Sequence, residues 1–536
     1  MSVPSVDLDD GDEVDHEPML ARLRAIVKRG DGAAIPGLVP EIRAACDLGL
    51  TRDAEEKHWL AVMGQGGERA VRVLAVALAT LDERAEPVGD ANDPYHPWLE
   101  RQGFCTPLLQ DVRARARGGL VPPWAALGML LAATASVIPP RVQLPAIVGG
   151  RASLNSITGI VGASGAGKGA AAAVLSPRFV PLGADGQPGL GLNWKRPPVR
   201  QAVGSGEAIS ALYVHSEKVA GPDGGPPETK MVQHETTAWP DWPEVDKLVA
   251  VRGRQASTMD AELRQFWSGE GLGSVTKTAS LHVEAHKYRG VATISIQPGR
   301  AAALFSDEAG GLLQRLLLFA GDRDPHATGN EPRVDGDLEI TVPYLPPGDD
   351  VVEFLVDPVV ETIIRERRIA RTSGALTVDP LDAHGDLLRL KIAATGAWMH
   401  GTLTVDYHTW RWAGSVMEHH RRTRAWLQSQ IAATVRAAAE SAGATDGVRR
   451  AVAREVEEAE ADQRFSGQWA TALDGTANWA QGRGPFTRRD ASRAGRSGSL
   501  RATRAGDLLT DLTVQGRLRV GQVDANGHAA AWEAVS

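Results

Sequence analysis

The sequence predicts an α/β fold: a parallel-sheet core with a helical domain before it and a winged-helix domain after it. Three observations carry this. A β-branched run over 154–161 leads into a glycine-rich loop, Gly162-Ala163-Ser164-Gly165-Ala166-Gly167-Lys168-Gly169, that opens an alanine helix at Ala170. Strand and helix signals alternate over 106–345, as strands joined by crossover helices require. Residues 465–536 read as two helices followed by extended runs around Asn526-Gly527, a strong hairpin signal.

The elements follow in order. Residues 1–18 are rich in Asp and Glu and read as a disordered acidic tail, the opposite of a basic signal-peptide start. Residues 19–86 carry helical periodicity punctuated by Gly30-Asp31-Gly32 and Gly66-Gly67. A proline-bearing linker leads to the core, 95–345. Thr106-Pro107 starts a helix, with a hydroxyl cap and proline at the first helical position. The apolar run 124–138, bracketed by proline pairs, is too short to cross a bilayer and reads as a buried helix. The runs 142–148 and 154–161 flank Gly149-Gly150 and are expected to form a hairpin that delivers the chain to the loop. Residues 350–460 are a helical extension, and Pro485-Phe486-Thr487 and 500–512 supply the helix pair of the winged-helix domain, 465–536.

A chain of 536 residues exceeds what one core holds, and roughly three domains are expected. The net charge of −8 excludes a wholly basic nucleic-acid coat but leaves room for local basic faces. Two cysteines, Cys46 and Cys105, make neither a disulfide framework nor a zinc site, so a reducing cytoplasm is the simplest setting. No membrane role is expected.

The loop is a P-loop in pattern and context. Its glycines turn backbone N–H groups inward around phosphates, and its lysine reaches the terminal phosphate oxygens. Gly162, Ser164, Gly165, Ala166, Gly167, Lys168, Gly169 and Ala170 are the expected ATP-binding residues. Gly169 stands where a Ser or Thr normally holds Mg²⁺. ATP hydrolysis also needs acids, a sensor and a positive charge. Glu244 and Asp246 are the candidate acids, one holding Mg²⁺ through water and the other polarising the attacking water. Pro240 and Pro243 make the preceding strand poor, and a solvated acidic turn is the alternative. Asp307 and Glu308 compete for the role. Gln297, at the end of the apolar strand 291–296, is the candidate γ-phosphate sensor. Arg315, alone in the apolar run 310–319, is either a finger aimed at a neighbouring subunit or an internal partner of Asp307 or Glu308.

Lys277, Lys287 and Arg289, interleaved with His282, His286 and Tyr288, suit single-stranded DNA, with a solvated hairpin as the plainer reading. Arg488, Arg489 and Arg493 lead an arginine cluster that also includes Arg496, Arg501 and Arg504, the footprint of duplex binding by a winged helix.

The segments SLNSITGIVGASGAGKG (153–169), GSGEAI (204–209), PEVDKL (243–248), STMDAELRQFWSGEGLG (257–273), HKYRGVATISIQP (286–298) and GGLLQRLLLF (310–319) resemble a P-loop ATPase family of actinobacterial phages, prophages and integrative elements. That family is similar to the helicase half of primase–helicase replication proteins, and the resemblance spans about 95–430. It implies a RecA-like core, assembly into a homo-oligomeric ring and work on DNA beside the element's other replication proteins. It assigns nucleotide binding to Lys168, the acid roles to Glu244 and Asp246, the sensor to Gln297 and the finger to Arg315. Two functions are therefore expected to compete: a DNA-dependent ATPase acting as helicase or helicase-like translocase, and an ATP-gated DNA-binding initiator or regulator with little hydrolysis.

Overall fold

The computed structural model describes residues 17–46, 53–84, 93–188, 196–219, 228–254, 257–273, 281–305, 311–442, 446–481, 483–495, 498–524 and 528–535. The chain divides into two compact units, residues 1–432 and 433–536.

The first unit is a mixed α/β structure built on a five-stranded parallel sheet. Its strands are β1 (Ser156–Val161), β2 (Arg200–Gln201), β3 (Thr237–Trp242), β4 (Arg289–Ile296) and β5 (Leu316–Ala320), ordered β2-β3-β4-β1-β5. Val161 stands beside Ile296 on one side and Ala320 on the other, so the C-terminal ends of these three strands lie level. The same strands are almost entirely buried, as the apolar runs of a parallel sheet covered on both faces require. The helix Pro123–Val137 is buried along its whole length against this sheet. Gly128 permits the contact: a Cβ there would lie 2.5 Å from the Phe319 ring.

Two expectations about strands are corrected. The proline-bearing segment does form a strand, β3, between β2 and β4. Its register with β4 holds at Thr237–Ala238 and again at Asp241–Trp242, while Trp239 and Pro240 pair with the two-residue strand β2. The ladder is interrupted at the residue that lacks a donor and resumes beyond it. The hairpin expected over 142–161 is absent. Val142–Gln143 pairs in parallel with Val352–Glu353, and only a bridge from Leu144 to Ala152 runs antiparallel.

At the free edge of β5 two histidines take the place of a missing strand. The backbone N–H of Leu318 donates to His420 Nδ1 (3.0 Å) and that of Ala320 to His419 Nε2 (3.1 Å), both from the helix Tyr407–Ala442. The edge strand's donors are thereby satisfied inside the protein.

The N-terminal helices Glu17–Arg29, Val39–Cys46, Asp53–Met63 and Gly67–Arg84 belong to the same unit as the core. Gly67–Arg84 packs on Pro358–Thr372 of the helical extension, and the Tyr407 hydroxyl donates to the Ala79 carbonyl at 2.8 Å. Thr106 caps its helix by accepting from the Leu109 N–H, as its sequence position predicts.

The second unit has its own core, Leu473, Ala477, Phe486, Leu508, Leu509, Leu512 and Trp532 among others. The long helix Asp446–Ala480 is followed by Arg488–Arg493, whose Thr487 and Asp490 form a reciprocal capping box. The helix expected over 500–512 is broken at Arg504 into Leu500–Thr503 and Ala505–Val514. An antiparallel pair, Leu518–Val523 with Ala529–Ala534, completes the unit, and Phe486 bridges to Trp532 at its edge. The turn residues Asn526 and Gly527 lie outside the described residues, as does the acidic tail up to residue 16. Among the described residues no helix is long and apolar enough to cross a membrane.

Candidate nucleotide site

β1 delivers the chain to residues 162–169 at the C-terminal end of the sheet. The turn out of β1 is fixed from both sides: Gly162 N–H donates to the Ile296 carbonyl (2.9 Å), and Gly321 N–H donates to the Val161 carbonyl (2.7 Å). Gly162 admits no side chain, since a Cβ would lie 2.6 Å from the Gly321 carbonyl oxygen. Gly165 and Gly167 take φ of +83° and +81°, values that favour glycine. Lys168 Nζ curls back over the loop and donates to the carbonyls of Gly162 (2.7 Å) and Ala163. Those carbonyls are thus capped by the lysine. Burial pulls the Lys168 pKa down, and the Asp322 carboxylate opposes this. Gly169 is helical and has no side chain to offer a metal, and the helix it opens, Ala170–Ala173, is four residues long.

Asp322 is a loop partner that sequence reasoning misses. Its Oδ1 accepts the Ala163 N–H at 3.0 Å, directly on the loop. It follows the buried strand β5 as Gln297 follows β4, so the strand-end rule that selects Gln297 is the signal that could have found it.

Gln297 lies where expected, one residue past Ile296, whose carbonyl holds Gly162. Gln297 is half-buried, and its side-chain amide makes no hydrogen bond among the described residues. Glu244 is exposed and extended at the start of the helix Val245–Arg252. The strand that leads to Glu244 ends at Trp242, paired with Ile294 of β4, two residues short of Ile296. Asp246 is bound to Arg300, which follows Gln297 and also feels the charge of Glu244. A third acid, Asp241, sits within β3 itself. Its Oδ1 accepts the Thr293 hydroxyl (2.5 Å), and Thr293 in turn accepts the Trp239 indole N–H (2.9 Å). Asp307 and Glu308 lie outside the described residues.

No group of three or more His, Cys, Asp or Glu among the described residues is placed to hold a metal. Mg²⁺ does not need one, since it takes one or two carboxylates with waters and substrate phosphates. Glu244 and Asp246 match that donor set, and the Gly169 position contributes nothing to it.

Arg315 lies at the N-terminal end of β5, the opposite end of the sheet from Lys168. Its Nη1 donates to the Gly311 carbonyl (2.7 Å), its guanidinium lies 5.4 Å from the Trp267 ring, and its buried Nε has no partner among the described residues. It therefore does not serve the loop of its own chain.

The expected single-stranded DNA contacts do not form one surface. Arg289 is corrected outright: it is fully buried, the first residue of β4. Its guanidinium donates to the carbonyls of Ile138, Pro139 and Val142 and to Asn155 Oδ1, at 2.8–3.1 Å. Burial pushes its pKa down to about 9. The strand begins two residues earlier than its apolar pattern indicates, so the arginine is drawn inside. Lys287 is exposed at the same end of the sheet, and Lys277 lies outside the described residues. In the second unit Arg488, Arg489 and Arg493 lie on one short helix, Arg488 and Arg489 exposed at its start. Arg504 is tied to Asp507 at 2.6 Å, and Arg496 lies outside the described residues. No protein-family model and no curated protein matches this chain.

Proposed function

We propose that the chain is a DNA-dependent P-loop nucleoside triphosphatase, a helicase or helicase-like translocase that serves replication of a mobile element. The observation that carries this reading is the wound loop 162–169, with Lys168 closed across it and its first turn held by the carbonyl of Ile296, the residue before Gln297. The strand order supports a RecA-like core. β4 stands between the strand that feeds the loop and the strand that leads to Glu244, so sensor and acids approach the phosphates from adjacent strands. In this reading the loop amides and Lys168 bind the triphosphate, and Gln297 donates to its terminal phosphate. Glu244 or Asp246 would hold Mg²⁺, which would supply charge to offset the phosphates; the other carboxylate orients the attacking water. Arg315, remote from its own loop, completes the site of a neighbouring copy in a ring. The arginines of the 433–536 unit, read as a winged helix, grip DNA.

A second reading, an ATP-gated DNA-binding initiator with slow turnover, is favoured by Gly169 and by the Arg300 contact on Asp246. Steady-state ATPase with and without single-stranded DNA separates the two. The translocase predicts turnover stimulated by DNA and abolished in Lys168→Ala. Unchanged turnover in that variant refutes the loop as the catalytic site, and ATP binding without turnover in the wild type selects the initiator.

A further inference from the structure

The loop has a neighbour on its β5 side that phosphate chemistry leaves unused. Beyond Ala320 the chain runs through Gly321 and Asp322 to Arg323, and Asp322 touches the loop at Ala163. Pro122 flanks the same mouth, as the atom a Cβ on Gly167 would meet at 3.9 Å. The strip is held rigidly. The Tyr95 hydroxyl accepts the backbone N–H groups of Asp322 (3.2 Å) and Arg323 (3.3 Å). His326 Nε2 bonds the Tyr95 carbonyl at 2.9 Å. Asp324 pairs with Arg117 at 2.7 Å, and Arg117 also pairs with Glu100 at 2.8 Å.

Arg323 is the exception within this strip. Its guanidinium lies 5.4 Å from the centre of the Tyr95 ring, and no carboxylate pairs with it among the described residues. Tyr95 beneath it is 5% exposed and locked in place, with burial pushing its pKa up to about 12. A guanidinium resting on an aromatic ring presents a second, outward face suited to another planar π-system.

We propose that Arg323, on its Tyr95 platform, stacks on the base of a nucleoside triphosphate whose phosphates occupy the loop 162–169. The proposal rests on the loop being a phosphate site, and it adds that the protein selects a nucleotide over a bare polyphosphate. The test is equilibrium binding of ATP and of inorganic tripolyphosphate to the full chain, wild type and variants. The wild type is expected to hold ATP more tightly, by about tenfold, the scale of one base stack. Arg323→Ala should lose that preference while binding tripolyphosphate as before. Arg323→Lys, which keeps the charge but not the planar face, should lose it too. Equal binding of both ligands by the wild type overturns the proposal alone, as does an Arg323→Ala variant weakened equally for both. A wild type that binds neither ligand overturns the loop reading and this proposal with it.

Discussion

Single residues separate the two ends of the sheet by their chemistry. At the loop end the polar groups make replaceable contacts: Lys168 rests on two carbonyls, and the Gln297 amide has no hydrogen bond among the described residues. At the opposite end two buried cations, Lys391 and Arg289, are structural. Lys391 is buried, donates to the carbonyls of Asn155 (2.8 Å) and Trp267 (2.7 Å), and lies 3.5 Å from the centre of the Trp267 ring. Arg289 donates to three carbonyls and one amide oxygen nearby. Burial lowers the pKa of both groups, which are kept by oxygens that need a donor inside the protein. Arg289→Ala is therefore expected to cost roughly 3–5 kcal/mol of stability, from stranded acceptors plus a cavity. Denaturant melts check this. A cost within experimental error would return Arg289 to the surface role its basic, aromatic surroundings suggest.

Among the elements, β5 is the most informative. It is the free edge of the sheet on the side of the loop, and its N–H groups end on two imidazole nitrogens. His419 is also stacked on Trp124 and bonded through Nδ1 to the Pro94 carbonyl at 2.8 Å, so Nδ1 carries the proton and Nε2 accepts. Burial pushes both histidines down to about 3. A histidine that is neutral when folded and ordinary when unfolded takes up its proton preferentially in the unfolded chain. Its contribution is complete above pH 6.5 and is lost as pH falls from there toward 3. Stability should drop by on the order of 1–2 kcal/mol per histidine by about pH 5. Melting temperatures of the wild type against His420→Leu test this. The variant should be less stable at about pH 7, having stranded the Leu318 N–H, and its decline toward about pH 5 should be shallower. Parallel declines would show that His420 does not titrate with unfolding.

For the whole molecule, the proposed DNA binding has to be carried by the exposed cations of each unit. In the first unit the basic stretch before β4 is split, Arg289 inside and Lys287 outside. In the second, Arg488, Arg489 and Arg493 share one short helix, while the helix Ala505–Val514 bears Asp507 and Asp511. That charge pattern suits contact with phosphates and not reading of base edges. Replacing the three arginines by alanine should weaken duplex and single-stranded DNA alike. The log–log salt dependence should become shallower by about 2–3, since each phosphate no longer neutralised removes roughly 0.7–0.9 from the slope. Fluorescence anisotropy across a salt series measures it. An unchanged slope would move DNA contact away from this helix.

The α/β class, the loop with its flanking strand and helix, the buried helix between two proline pairs and the helix cap at Thr106 are all legible in the sequence. Each is written in local periodicity or in the stereochemistry of Gly, Pro and Thr. Gln297 was legible for the same reason, as a polar residue ending an apolar run. Features that depend on partners distant in the chain emerge only from the fold. Asp241 became a strand residue because β2 and β4 flank a segment whose prolines argue against pairing. Arg289 went inside because the carbonyls around 138–142 needed a donor, and Asp322 met the loop because β5 ends beside β1. Composition carries no record of which strand lies next to which, so the side chains that only adjacency brings together could be found only in the folded chain.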